Sequence, residues 1–197
     1  MDRDGVINEE VDYLHRLADL RLLPRVAEAV RAINASGYLA IVVTNQSVVA
    51  RNLCSIQYLG KIHRKLEALL EAEGARLDAI YLCPHHPATG DPRANRHYEI
   101  ECDCRKPKTG LIQQAQRDFD INLGASFMVG DSWRDVACGK AAGVTTIVVK
   151  TGHDWRALKE EPDYLVGDLR EAVALILRRG RRGRKAMAAK RHRKHKT

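Results

Sequence analysis

The chain has 197 residues, 45% of them hydrophobic, which suits one domain with a buried core. No apolar run approaches the roughly 18 residues that a membrane span needs, and no apolar stretch of the secretory-signal kind follows the charged first residues. The formal net charge of +8 is unevenly spread, because 11 of the 33 basic residues and none of the 25 acidic ones lie between Arg178 and Thr197. The body is therefore mildly acidic and carries a strongly basic tail, a pattern of an enzyme-like domain with a solvated extension. A soluble, cytoplasmic, monomeric protein is the expectation.

The chain opens on Asp2-Arg3-Asp4-Gly5. A sharp Asp-x-Asp-Gly turn normally follows a buried strand, and with only Met1 ahead of it the expectation is either that this strand is short of residues or that the natural start lies upstream. A helical pattern covers Arg25–Ala35, and Tyr38–Thr44 is a β-branched run that reads as a buried strand. Thr44-Asn45-Gln46-Ser47 follows at its end. A long helical pattern spans Ile56–Ala72, and Ala79–Leu82 reads as the next strand. From Pro84 to Pro107 the chain is rich in Pro, His, Asn and Cys and fits no regular element, so it reads as an ordered insertion that needs a staple. Further on come helix Leu111–Phe119, strand Phe127–Val129 ending in Gly130-Asp131-Ser132, helix Arg134–Ala142, strand Thr145–Val149 and helix Leu169–Leu177. Gly37, Gly74, Gly143 and Gly180 stand where helix C-caps belong. Strands alternating with helices predict an α/β fold with a doubly wound parallel sheet and helices on both faces. In such sheets, sites gather at the carboxyl ends of the strands. The domain is expected over 1–177, with residues 178–197 too poor in apolar groups to offset the entropy of ordering.

Asp2 and Asp4 lie two apart and share a face of an extended segment, so both can meet one reacting group. Paired carboxylates can supply a nucleophile or metal ligand together with a general acid. Thr44 and Asn45 offer a hydroxyl and an amide, Arg105 a planar fork and Lys106 a point charge, all suited to phosphate oxygens. Asp131 provides a hard oxygen for Mg²⁺ where a strand gives way to a helix, with Asp135 four residues on. Each motif has an ordinary alternative, since such residues also make turns, helix caps and surface pairs. The five cysteines are an odd number in a chain without a secretory signal, which argues against a disulfide framework. Cys83, Cys102 and Cys104 with His85 or His86 form a candidate tetrahedral zinc set for the loop 83–104, while Cys54 and Cys138 read as core thiols.

Taken in order, Asp2-Arg-Asp-Gly-Val6, Thr44-Asn-Gln-Ser47, Arg105-Lys-Pro107 and Gly130-Asp-Ser-x-x-Asp135 resemble the four motifs of the haloacid dehalogenase superfamily of phosphatases. The further segments Cys83-Pro-His-His-Pro87 and Cys102-Asp-Cys104 resemble its branch that acts on sugar bisphosphates, with a histidinol-phosphate branch as the nearest alternative. Sixteen residues, 86–101, separate His85 from Cys102, a spacing that favours the sugar branch. The resemblance covers roughly residues 1–155. It implies a Rossmann-like fold without a large cap, an aspartyl-phosphate mechanism, Mg²⁺ as cofactor and structural Zn²⁺.

By resemblance, Asp2 is the nucleophile and Asp4 the acid and base. Mg²⁺ lies on Asp2, Asp4 and Asp131, with Asp135 in support, and Zn²⁺ on Cys83, His85, Cys102 and Cys104. Thr44, Asn45, Arg105 and Lys106 grip the substrate. The chain departs from the family at Val48 and Asn52, where glycines are usual, which is expected to reshape that loop. It departs again at Ser132, where a lysine is common, and at Thr109. A reading of another class is an inactive homologue whose tail binds nucleic acid nonspecifically; lacking aromatics, the tail could grip only phosphate backbones.

Overall fold

The computed structural model describes residues 1–153 and 155–180. Helices α1 (Val26–Asn34) and α2 (Ile56–Glu71) flank strand β1 (Ile41–Asn45), and β2 (Ala79–Cys83) follows. After a long irregular stretch come α3 (Gly110–Phe119), β3 (Phe127–Gly130), α4 (Trp133–Ala141), β4 (Thr145–Val149) and β5 (Tyr164–Val166). A last helix, α5, covers residues 169–180. Residues 178–180, expected in the irregular tail, thus continue α5; the rest of that tail, 181–197, lies outside the described residues. No helix among the described residues is long and apolar enough to cross a membrane.

All strand pairings are parallel, in two groups: β1 with β2, and β3-β4-β5. The single continuous sheet expected from the sequence is therefore interrupted. Met1 and Asp2 span the interruption: the Met1 amine donates to Ile41 O at 2.8 Å, Val43 N to Met1 O at 2.9 Å, and Asp2 N to Val129 O at 2.8 Å. Donating to one residue and accepting from the second after it is the parallel-ladder pattern. The first two residues thus seat Asp2 between the carboxyl ends of β1 and β3.

Alternation along the strands decides which helices cover which face. Val42, Val129, Ile147 and Val149 join a core built with α1, α2 and α5, while Val43 and Met128 join a second core with α3 and α4. In α2 the stripe Leu59, Ile62, Leu66 and Leu70 is fully buried, at the spacing of one helix face. Ser55 caps α2 by accepting from Tyr58 N at 3.1 Å. At α4 a capping box joins Ser132 and Asp135. Between β2 and α3 no helix or strand forms and no large cap is present among the described residues.

The loop after β1 turns at Asn52. Asn52 adopts φ 56°, a left-handed conformation that glycine takes freely and asparagine tolerates. Val48 is buried in the core.

Candidate active site

The strand ends bring the four motifs to one rim, around a cavity of about 270 Å³. Asp2 sits on its floor. Its Oδ1 accepts from Arg3 N at 2.8 Å and pairs with Lys106 Nζ at 2.9 Å. Burial raises the Asp2 pKa to about 6; Lys106 opposes that rise, and Asp135, Asp131 and Asp4 add to it. Lys106 is 2% exposed and also pairs with Asp135 Oδ1 at 2.6 Å. Burial disfavours its charge, yet Asp135 and Asp2 outweigh that and hold it firmly protonated.

Asp4 is held differently. Arg3 clamps both its oxygens, with Nη2 at 2.6 and 2.7 Å, while Asn8 and Gln46 each donate at 2.8 Å. Burial pushes its pKa up, but Arg3, Asn8 and Gln46 together prevail and hold it below the ordinary value. Arg3 is itself fully buried, against His63 Nε2 at 2.9 Å. Gln46 also donates to Thr44 Oγ1 at 2.9 Å, so one amide positions both the hydroxyl and the second carboxylate. Gly5, at φ 72°, makes the turn; a Cβ there would stand 2.4 Å from Asp131 Oδ2.

Asp2, Asp131 and Asp135 each place an oxygen within 4.8 Å of the others. Three crowded carboxylates against one ammonium leave excess negative charge, and hard oxygens suit a divalent cation such as Mg²⁺. Asp135 is the most engaged of them, with Oδ1 on Lys106 and Oδ2 on Ser132. A neighbouring group joins Glu10, Asp131 and His153. His153 Nδ1 lies 2.7 Å from Asp131 Oδ2, a bond that raises the imidazole pKa to about 9. Burial and the charge on Asp4 raise Glu10 to about 7.

Asn45 lines the cavity but spends its amide on the backbone of Lys106, donating to its O and accepting from its N, both at 3.0 Å. The wall beyond it is cationic. Arg51, His86, Arg105 and Arg134 all line the cavity. Arg105 donates to His85 O at 3.0 Å; burial lowers its pKa, and Arg134 and Arg51 push the same way. Arg51 lies 4.5 Å over the Tyr13 ring, and its buried Nε has no hydrogen-bond partner. Arg134 stacks on Trp133 at 5.2 Å. Among the described residues none of these three arginines is paired with a carboxylate.

The second cluster stands behind Arg105. Cys83 Sγ lies 3.5 Å from Cys102 Sγ, Cys104 Sγ 3.3 Å from Cys102 Sγ, and His85 Nδ1 3.4 Å from Cys104 Sγ. Ligands about 2.3 Å from a tetrahedral metal lie about 3.8 Å apart, so the set fits one ion with slight expansion. Burial and the neighbouring thiols push the Cys83 pKa far up, so thiolates would gather here only around a cation. His85 is the imidazole in this cluster, whereas His86 faces the cavity.

Sequence reasoning gave no role to Arg3, Glu10, Gln46, Arg51, Arg134 or His153. His153 had a usable signal, because Thr151-Gly152-His153 follows the carboxyl end of β4, where sites gather. Arg134 lies one helical turn beyond Asp131 and so could have been placed on the same rim.

Comparisons with known proteins agree with this geometry. The HAD-hydrolase-like family pattern matches residues 103–172. A D-glycero-D-manno-heptose-1,7-bisphosphate 7-phosphatase of Thermosynechococcus vestitus is 42% identical over 185 residues, covering 89% of this chain and 93% of that protein. A D-glycero-beta-D-manno-heptose-1,7-bisphosphate 7-phosphatase of Haemophilus ducreyi is 38% identical, covering 84% and 90%. The crystal structure of D,D-heptose 1,7-bisphosphate phosphatase from B. bronchiseptica, complexed with magnesium and phosphate, superposes with a TM-score of 0.78 at 30% identity, covering 90% of this chain and 96% of that one. The chain belongs to the haloacid dehalogenase-like phosphatases, in the family of the heptose 1,7-bisphosphate 7-phosphatases.

Proposed function

We propose that this phosphatase removes the 7-phosphate of D-glycero-D-manno-heptose 1,7-bisphosphate. The observation that carries the reading is a cavity with two unlike ends: carboxylates and Lys106 on the floor, and on the wall Arg51, Arg105 and Arg134, which have no carboxylate partner among the described residues. Such a cavity suits a substrate with phosphates at both ends, one reacting and one anchoring. Asp2 attacks phosphorus in line and breaks its bond to the sugar oxygen, which takes a proton from Asp4. Water then attacks the aspartyl-phosphate, gives its proton to Asp4 and frees Asp2. The resting Asp4, held ionised by Arg3, is already set for this second step. It becomes the acid of the first step when the phosphate dianion settles beside it, because a like charge raises a carboxylate pKa. Thr44 and Lys106 neutralise the transferring oxygens. Asp2, the Asp4 carbonyl and Asp131 would hold Mg²⁺, which when bound supplies further charge neutralisation on the phosphoryl group.

The donor set of Cys83, His85, Cys102 and Cys104 suits structural zinc, which would fasten the loop that carries Arg105 and Lys106.

The test is phosphate release with Mg²⁺ from both anomers of the 1,7-bisphosphate, the 7-monophosphate and histidinol phosphate. The cationic wall predicts the bisphosphate as the best substrate and histidinol phosphate, whose amine it repels, as the worst. Equal kcat/KM for the bisphosphate and the monophosphate would overturn the two-ended reading.

A further inference from the structure

We infer that His63, on α2, is a positioning residue for the reaction: its Nε2 accepts a hydrogen bond from Arg3 and so fixes the guanidinium that orients Asp4. The inference rests on the reading of Asp4 as acid and base. In α2, His63 stands on the buried stripe between Leu59 and Leu66 and is itself 7% exposed. A leucine would continue that apolar row with no polar atom to satisfy. The imidazole instead meets Arg3 Nη1 at 2.9 Å, a contact between residues 60 apart in the chain.

Arginine has no acceptor, so Arg3 donates and His63 receives on the lone pair of Nε2, with the ring hydrogen on Nδ1. An imidazolium could not accept. Burial and the neighbouring Arg3 keep the ring neutral, lowering its pKa to about 4. The guanidinium is thereby held along both edges. Nε and Nη2 grip Asp4, Nε at 3.0 Å from Oδ1, while Nη1 is tied to α2. The neutrality of the second partner matters. Lys106 divides its charge between Asp2 and Asp135, whereas Arg3 has Asp4 as its one carboxylate partner among the described residues. A carboxylate in place of His63 would split the charge of Arg3 as well and loosen its hold on Asp4. An apolar side chain would leave Nη1 buried without a partner and let the guanidinium turn toward the acidic floor. The neutral imidazole avoids both. Asp4 has to give a proton and take one back at fixed places, and a displacement of about 1 Å at such a group costs about a hundredfold in rate.

The test compares His63→Leu, His63→Gln and Asp4→Asn in the full chain with Mg²⁺, on the heptose bisphosphate and on p-nitrophenyl phosphate. A sugar oxygen needs a proton as it leaves, nitrophenolate does not, and kcat/KM reports that first step. His63→Leu is expected to lower kcat/KM about tenfold to a hundredfold on the sugar phosphate and less than about threefold on the nitrophenyl ester. His63→Gln, whose amide oxygen reaches as far as Nε2, should bring the sugar phosphatase activity back to within about threefold of the parent. Equal losses on the two substrates, or no rescue by glutamine, overturn the inference. Asp4→Asn should show the same split more strongly. A split absent there strikes the reading of Asp4 itself, whereas a split present there and absent in His63→Leu strikes the inference alone. Nitrogen NMR of the parent chain needs no variant: at pH 7 the ring of His63 should be the Nδ1–H tautomer, with Nε2 an acceptor. The Nε2–H tautomer would overturn the inference, whether or not the variants fold.

Discussion

Replacing Lys106 by methionine keeps the unbranched apolar stem of the side chain and removes its ammonium group. In the folded chain that ammonium lies 2.6 Å from Asp135 and 2.9 Å from Asp2, and is 2% exposed. Breaking a buried pair by removing one partner costs about 3–5 kcal/mol, because the remaining charge stays buried without compensation. Here two carboxylates are stranded. For a chain of this size each kcal/mol moves Tm by about 2–4 °C, so a fall of roughly 6–20 °C is expected without added Mg²⁺.

The pH dependence gives the reasoning a sharper edge. Burial already holds Asp2 at about 6, and Lys106 is the charge that restrains it. Without Lys106 the folded pKa climbs further. A carboxyl whose folded pKa lies above its unfolded value of 3.8 favours folding at low pH, and that advantage disappears as pH rises through the folded pKa. The deficit of Lys106→Met should therefore be small at pH 5 and full at pH 8. Added Mg²⁺ should raise the Tm of the variant at least as much as that of the parent, since a cation replaces the missing charge. Urea unfolding at both pH values, with and without Mg²⁺, reads all of this. A loss under about 1 kcal/mol, or the same loss at pH 5 and pH 8, would refute the account of the buried charge.

Asp2→Asn should lower kcat by at least about a thousandfold and leave the urea midpoint near that of the parent; turnover within tenfold of normal would remove Asp2 as nucleophile. Cys102→Ser should lose bound zinc by elemental analysis and raise KM more than it changes the global melting temperature; full zinc retention would contradict the ligand set. Gly130→Ala puts a Cβ 2.2 Å from Cβ of Asp135, so Lys106 loses its better partner, and both stability and kcat should fall; unchanged activity would show that Asp135 can yield. Arg134→Ala should cut kcat/KM for the 1,7-bisphosphate by about tenfold to a hundredfold, as expected for a charged hydrogen bond, and barely affect the 7-monophosphate. Equal losses on the two substrates would remove Arg134 from the anchoring wall.

The sequence made the sheet and its helices legible because β-branched runs and helical spacing are local signals. It was least informative where structure depends on a strand distant in the chain. The run from Tyr38 reads as strand from its first residue, yet pairing with β2 begins only at Ile41, opposite Ala79. The strand Tyr164–Val166 follows Pro162, is three residues long and takes its form from β4, so it offers no periodicity to detect. In the site, Asp2, Asp4, Thr44, Arg105, Lys106 and Asp131 were legible because each belongs to a contiguous motif. Arg51, His86 and Arg134 come from three separate segments, and charge spread along a chain has no pattern that shows it converging. The role of Asn45 was legible as to position but not as to partner: it lines the cavity, as expected, and also holds the backbone of Lys106.

That last contact has a consequence for which sequences can serve this site. Lys106 offers Asn45 one backbone donor and one backbone acceptor, 3.0 Å from each end of a single side-chain amide. Only a primary amide meets both at once. Aspartate has no donor while ionised, serine is too short, leucine has neither group, and glutamine carries its amide one bond too far. Position 45 therefore answers to the backbone of a loop 61 residues away, whatever sugar the enzyme accepts. Variants selected for activity on new phosphate esters should change freely at Arg51 and Arg134, and should return asparagine at 45 every time.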